Sequence, residues 1–435
     1  MEGMFFIREQ KDPSAEETVL HAVPLDELND PFARQKLMGW WDQDMIGRLR
    51  VLILGAGAIG NEVLHNLVLL GFRQIFICDM DTVELSNLSR TVFFRWEDEG
   101  KPKAEVAAMR AMEACLAPDP RMDFFCGDIT FELGAGMFRH FDIVLGCLDN
   151  DATRYFVDRN CSLFGKPWIN AGIYELNANL QLFYHKEAGN CFHCGASPEK
   201  VASVMTRTAS CGSTAIQALS QGKIPTVQVA SALVAALQAQ ETAKFACGQP
   251  VEWGTNIYFQ GSNNSFQKSR GWSAQGCMHH EWAEITDVIE LPTVTNHSTM
   301  AELLAAAEQA LGGKHRLTVY VGHEYGREYL LRATCRYCDE VVSLGIPRFR
   351  FRDEMAVCPA CKERRSGEER DPIVDAVREY SAGTDREILS KSLGELGIPS
   401  VHVLSAYDEE GSEYHFEVSG DLPLIAPRIF AERRI

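Results

Sequence analysis

Gly55, Gly57 and Gly60 stand in a G-x-G-x-x-G turn, and Asp79 lies 19 residues beyond Gly60. Glycines at this spacing let backbone N–H groups approach a phosphate at a helix N-terminus, and an acid at that distance can accept from a ribose hydroxyl. Asp79 opens the run Asp79-Met-Asp81-Thr-Val-Glu-Leu-Ser86-Asn87-Leu-Ser-Arg90, and Gly100-Lys-Pro-Lys103 follows. An amide, a hydroxyl and two cations therefore come close behind the ribose acid. Hydride transfer has no use for Arg and Lys near a nucleotide's phosphates, whereas a triphosphate losing pyrophosphate does.

These residues need a scaffold. Arg50–Leu54 has the length and apolarity of a buried parallel strand, and an apolar-periodic helix should run from the glycines to about Leu70. Gly71 should stop that helix, and Gln74–Cys78 reads as the next strand. Pro102 should start a helix reaching about Cys115. Lys103 then falls in its first turn, a poor place for a cation unless an anion sits nearby. Met122–Cys126 and Phe141–Cys147 read as further strands, the second ending in Leu148-Asp149-Asn150. Open α/β sheets place ligands at such carboxyl ends. Asp149 could equally be the N-cap of a helix over residues 151–164.

The pattern D-x-D-x-V-x-x-S-N-L-x-R, then G-x-P-K, then the Asp149-Asn150 pair, resembles the ThiF/MoeB/ubiquitin-activating enzyme superfamily over roughly Phe32 to Trp282. The resemblance implies a Rossmann-like adenylation domain that uses ATP and Mg²⁺ to adenylate the C-terminal glycine of a ubiquitin-like protein. It gives Asp149 the Mg²⁺ and Asn150 a part in fixing the nucleotide. Arg90 and Lys103 would hold the triphosphate, with the amides at Gly57–Gly60. Asp30-Pro31 should open a helix carrying Arg34. By resemblance Arg34 reaches the phosphates, often from the other subunit of a homodimer; as an exposed helix arginine it would have no such role.

Fourteen cysteines in a chain without an apparent leader point to metal and thiol chemistry in the cytoplasm. Cys191-Phe-His-Cys194 and, 82 residues on, Cys277-Met-His-His280 make a four-ligand zinc set if the pairs meet in space. His279 is the rival to His280, and C-x-x-H at the second pair departs from the C-x-x-C common in the family. Cys335, Cys338, Cys358 and Cys361 have zinc-ribbon spacing, against which a redox dithiol is the competing reading. Both Zn²⁺ sites would be structural. Cys211 stands in the polar loop Thr206-Arg-Thr-Ala-Ser-Cys211-Gly-Ser-Thr, a setting suited to a nucleophile. Relatives often carry a thioester-forming or sulfur-handling cysteine in this region. A bystander or a further zinc ligand is the alternative.

From about Ile285 the texture changes. Thr299-x-x-Glu302 and Ser392-x-x-Glu395 match capping boxes, and Arg316–Val321, Val401–Ala406 and Tyr414–Val418 read as strands. This order resembles a ubiquitin-like β-grasp module of the kind that recruits a conjugating enzyme. The expected organisation is an N-terminal arm (1–28), an adenylation domain (29–284, cysteine loop near 205–225) and a C-terminal ubiquitin-fold-like domain (285–435) with a zinc ribbon at 333–364. A formal charge of −18 argues against nucleic acid or anionic membrane as a general partner. The preferred reading is a ubiquitin-like modifier-activating enzyme, most like prokaryotic ones: adenylation, then a thioester at Cys211, then transfer to a conjugating enzyme. A sulfur-carrier adenylyltransferase is the second reading, and a non-catalytic subunit of a heterodimeric activating enzyme the third.

Overall fold

The structure, a computed structural model, describes residues 5–11, 18–24, 29–195, 226–274, 277, 284–321, 326–352, 355, 357–361 and 373–431. In the arm, β1 (Phe5–Lys11) and β2 (Thr18–Pro24) pair as an antiparallel hairpin. Two short helices follow, α1 (Ala33–Lys36) and α2 (Gln43–Arg48).

The nucleotide fold then unwinds as the hydrophobic pattern requires. Its elements are β3 (Arg50–Leu54), α3 (Ala58–Leu70), β4 (Gln74–Cys78), α4 (Lys103–Ala114) and β5 (Arg121–Phe125). They continue through α5 (Met137–His140), β6 (Ile143–Gly146), α6 (Asp151–Leu163), β7 (Trp168–Tyr174) and β8 (Asn177–Phe183). After α7 (His185–Ala188) come α8 (Gln228–Ala246), β9 (Thr255–Gln260) and β10 (Ser265–Arg270). One eight-stranded sheet results, in the order β10-β9-β8-β7-β6-β3-β4-β5. β3 to β7 run parallel and β7 to β10 antiparallel. Strand order reverses between β3 and β6, the switch point at which such sheets bind ligands. Gly71, at φ +95°, ends α3 as expected. Among the described residues no helix is long and apolar enough to cross a membrane.

One face of this sheet is covered by α3, α4 and α8. The other has α6, but the β5–β6 crossover supplies only the single turn α5. Leu52, Phe76, Phe138, Phe141 and Val144 would be left bare there. The C-terminal region covers them: Val401, Val403, Leu422, Ile429 and Phe430 belong to the same core.

That region contains β11 (Val288–Leu291), α9 (Met300–Ala310) and β12 (Thr318–Tyr320). Next come β13 (Tyr329–Thr334), β14 (Val341–Pro347) and β15 (Ile373–Val377), a separate sheet inserted as a unit. The chain then gives β16 (Glu379–Tyr380), α10 (Arg386–Leu389), β17 (Val403–Tyr407), β18 (Glu413–Val418) and α11 (Leu422–Ile425). Its main sheet has the order β11-β18-β17-β12-β16, with the first strand parallel to the last. α9 packs on this sheet through a shared apolar core. The first strand, however, sits alone at the sheet edge rather than in a hairpin, a departure from the ubiquitin-like arrangement among the described residues. Thr299 and Glu302 close their capping box on α9, Glu302 N donating to Thr299 Oγ1 at 3.2 Å. Ser392 and Glu395 make the same bonds but bracket a turn, because Gly397 leaves it at φ +83°.

Candidate functional site

The glycine turn after β3 is shaped by contact. A Cβ on Gly55 would lie 2.4 Å from Cys147 O, and one on Gly60 would lie 2.0 Å from Gly55 O. A Cβ on Gly57 would meet nothing within 4 Å. Two of the glycines are thus demanded by packing, and the third borders open space at the start of α3. No side chain caps α3 and no acid lies in its first turn, so its N–H groups and the positive end of its dipole face that space.

Asp79, just past β4, accepts from Ala56 N at 2.6 Å through Oδ2 and from Asp81 N at 2.8 Å through Oδ1. Burial raises its pKa above the ordinary aspartate value, against the opposing Lys103 charge. Lys103 Nζ lies 2.8 Å from Asp81 Oδ2. Arg90 ends a 3₁₀ turn over Leu85–Arg90 and donates to Ser86 O at 2.7 Å. Ser86 and Asn87 are drawn into that turn: Ser86 Oγ donates to Glu84 Oε2, and the buried Asn87 accepts from Glu84 N through Oδ1 at 3.0 Å. They shape the mount for Arg90.

At the end of β6 the open question over Asp149 is resolved by Asn150. Asn150 Oδ1 accepts from Thr153 N at 2.9 Å and caps α6, leaving Asp149 exposed at the sheet's carboxyl end. Asn150 also donates to Asp149 Oδ1 at 3.3 Å. One cation here escaped the sequence reading. Arg154 donates to Leu148 O at 2.6 Å and pairs with Asp151 at 3.3 Å, bracing the Asp149 loop from the first turn of α6. Its place three residues after an acid was the available signal. Asp151 also borders a groove lined by Tyr155, Gln181, Asn256, Trp272 and the cluster thiols Cys191 and Cys194.

The structure therefore brings the glycine turn, Asp79 and Asp149 to the carboxyl ends of β3, β4 and β6. Lys103 is tied to that edge through Asp81. Arg34 is elsewhere. Its helix α1 packs on the far end of α3, where Gln35 donates to Leu70 O at 3.0 Å. α3 has 13 residues, about 20 Å of rise, so Arg34 does not belong to the glycine turn of its own chain. Cys211 and His280, with the rival His279, lie outside the described residues.

Both cysteine clusters assemble. Cys191 Sγ is 3.6 Å from Cys194 Sγ and 3.6 Å from Cys277 Sγ. In the ribbon Cys335–Cys338, Cys338–Cys358 and Cys335–Cys361 stand 3.3, 3.5 and 3.9 Å apart. Thiolates on a tetrahedral Zn²⁺, with bonds of about 2.3 Å, should be about 3.8 Å apart. Tyr337 N and Cys338 N both point at Cys335 Sγ at 3.4 Å, the donors such a thiolate requires. Four convergent sulfurs fit a metal, not one redox pair. His193 Nδ1 is 2.6 Å from Oδ2 of Asp158, which also accepts from Trp168 Nε1 through Oδ1 at 3.2 Å, and Asp158, His193 and Cys191 form a second group of ligand atoms close enough to share a metal.

Comparison with known proteins finds relatives by sequence and by structure. A sulfur carrier protein adenylyltransferase of Thermus thermophilus is 35% identical over 172 residues, 38% of this chain and 63% of that protein. SUMO-activating enzyme subunit 2 of Dictyostelium discoideum is 35% identical over 168 residues, 38% of this chain and 25% of its own length. The chain spans less than two thirds of the length of either relative. E. coli MccB crystallised with ATP matches 59% of this chain and 76% of its own, at 22% identity and a TM-score of 0.47, a distant likeness of fold. The sequence profile of the ThiF family matches residues 32–277, more than half of the 435 residues, and the chain belongs to that family.

Proposed function

We propose that this chain is an ATP-dependent adenylyltransferase that activates the C-terminal carboxylate of a ubiquitin-like protein. The observation that carries the reading is the meeting of an uncapped helix N-terminus and the acids Asp79 and Asp149 at one sheet edge, with Lys103 held there by Asp81. Two anionic reactants must approach each other, so fixed positive charge has to offset their repulsion. The α3 amides, Arg90 and Lys103 bind and orient the triphosphate and hold the departing pyrophosphate. Asp79 receives a ribose hydroxyl. Asp149 would hold Mg²⁺, whose charge assists the same neutralisation. The nucleophile is a carboxylate already ionised at neutral pH, so no general base is needed.

In the finer reading Cys211 then attacks the acyl-adenylate, forming a thioester and releasing AMP, and a conjugating enzyme docked on the C-terminal region takes the modifier. Zn²⁺ in the two cysteine clusters would be structural, and Arg34 would act across a homodimer. The alignment with a sulfur carrier adenylyltransferase favours a second reading, in which the activated carboxylate becomes a thiocarboxylate. ATP–pyrophosphate exchange with a captured Gly-terminated partner tests the common step. Exchange followed by a thiol-labile conjugate supports the first reading, exchange followed by a thiocarboxylate the second. No exchange would leave a non-catalytic subunit.

A further inference from the structure

The side chain of Asn61, fully buried in the first turns of α3, bridges two segments that carry the candidate chemistry. Its Nδ2 donates to Ala56 O at 2.7 Å and to Gly57 O at 3.2 Å. Its Oδ1 accepts from Phe93 N at 3.1 Å, three residues beyond Arg90. In a trans peptide the C=O and N–H point in opposite directions. Gly57 O also accepts from the backbone N–H of Asn61 at 2.9 Å, so the side chain acts chiefly on Ala56 O: drawing it towards Asn61 turns the Gly57 N–H the other way, to the open side of the glycine turn. The bond to Phe93 fixes, in the same stroke, the irregular segment by which the Arg90 turn rejoins the core. Both polar atoms of the side chain are used.

We propose that Asn61 is a positioning residue for nucleotide binding, setting the phosphate-facing amides and the Arg90 turn in register with each other. The inference rests on the proposed ATP reaction. Full-length protein is titrated calorimetrically with Mg·ATP, and each variant's melting is recorded without nucleotide. Asn61→Asp keeps the acceptor for Phe93 N but loses both donated bonds, and its Kd should rise about tenfold or more. Asn66→Asp is the control. Asn66 Nδ2 makes a similar bond within α3, to Glu62 O at 2.8 Å, without touching the turn. It should keep its affinity whatever stability it loses. Equal affinity in wild type and Asn61→Asp, or equal weakening in both variants, overturns the proposal. A wild-type chain that binds no Mg·ATP overturns the functional reading itself, and the role of Asn61 with it. If Asn61→Asp does not fold, Asn61→Ser is read instead. Its hydroxyl can reach Gly57 O but not Phe93 N as well, so undiminished affinity in that variant is equally fatal.

Discussion

His140, in the one-turn helix α5 of the nucleotide fold, donates through Nε2 to Glu417 Oε1 on β18 at 2.7 Å, and the Glu417 side chain is wholly out of contact with solvent. Arg139 binds the other carboxylate oxygen. Around this pair Ala135 N donates to His402 Nδ1 at 3.2 Å, and the backbone N–H groups of Arg428 and Ile429 both reach Asp123 Oδ2 at 2.9 Å. Arg327, buried, donates to Phe131 O and Gly397 O at 3.1 Å each. The C-terminal region is bonded into the nucleotide fold on several fronts.

Loss of the Glu417 charge should therefore be felt by the whole molecule. Glu417→Ala leaves Arg139 and His140 facing a cavity and should cost roughly 3–5 kcal/mol in urea unfolding. The acid limb carries the sign. Burial pushes the Glu417 carboxyl up, but the His140 hydrogen bond and the charges of His140 and Arg139 outweigh it and hold the group below the ordinary glutamate range. A depressed folded-state pKa gives stability that is complete above the unfolded-state value and lost as pH falls through the folded-state one. Below about pH 4.3, wild type should lose stability more steeply than Glu417→Gln. Parallel curves would contradict this.

Asp149→Ala should abolish ATP–pyrophosphate exchange without shifting the melting temperature, because Asn150, not Asp149, caps α6. Lys103→Ala should lower exchange by roughly 10²–10³-fold, the usual weight of one preorganised charge-stabilising donor. A large stability loss in Asp149→Ala would show that its role is architectural.

Cys211→Ala should leave exchange intact and remove any conjugate that thiols cleave. The measurement is a non-reducing gel of chain and modifier after incubation with Mg·ATP. A reducible conjugate surviving in the variant would move the nucleophile to another cysteine.

Elemental analysis should find two Zn²⁺ per chain, and Cys335→Ser should bring this to one while Cys191→Ser removes the other. The ribbon lies apart from the glycine turn in sequence, and its base stacks Phe349 on Phe131 at 4.8 Å. Losing its metal should unfold residues near 329–377 before it touches nucleotide binding, which hydrogen exchange would resolve.

Much of the nucleotide site was legible because it is local. A buried strand, a glycine turn and an amphipathic helix announce themselves by period, and Gly55 and Gly60 are explained by the atoms a Cβ would strike. The cysteine spacings likewise converged on clustered sulfurs. What was not legible depends on distance in sequence. Glu417 and His140 are 277 residues apart, and nothing local marks either as the other's partner. Asn61, one position past Gly60, carries no mark of its own in the sequence, because its side-chain partners are backbone groups of the glycine turn and of Phe93. The Ser392 box closes as its spacing predicts, but a capping pattern states how a turn begins, not whether a glycine soon ends it.

The bare lower face of the sheet also bears on synthesis. A ribosome delivers Leu52, Phe76 and Phe141 long before Val401 and Phe430, the residues that close over them. The first half therefore emerges with greasy surface and no lid, and cannot finish folding as an autonomous unit. Nascent chains stalled ahead of residue 400 should stay sensitive to protease and bound by chaperones, and become resistant only once Val401 to Phe430 have cleared the tunnel.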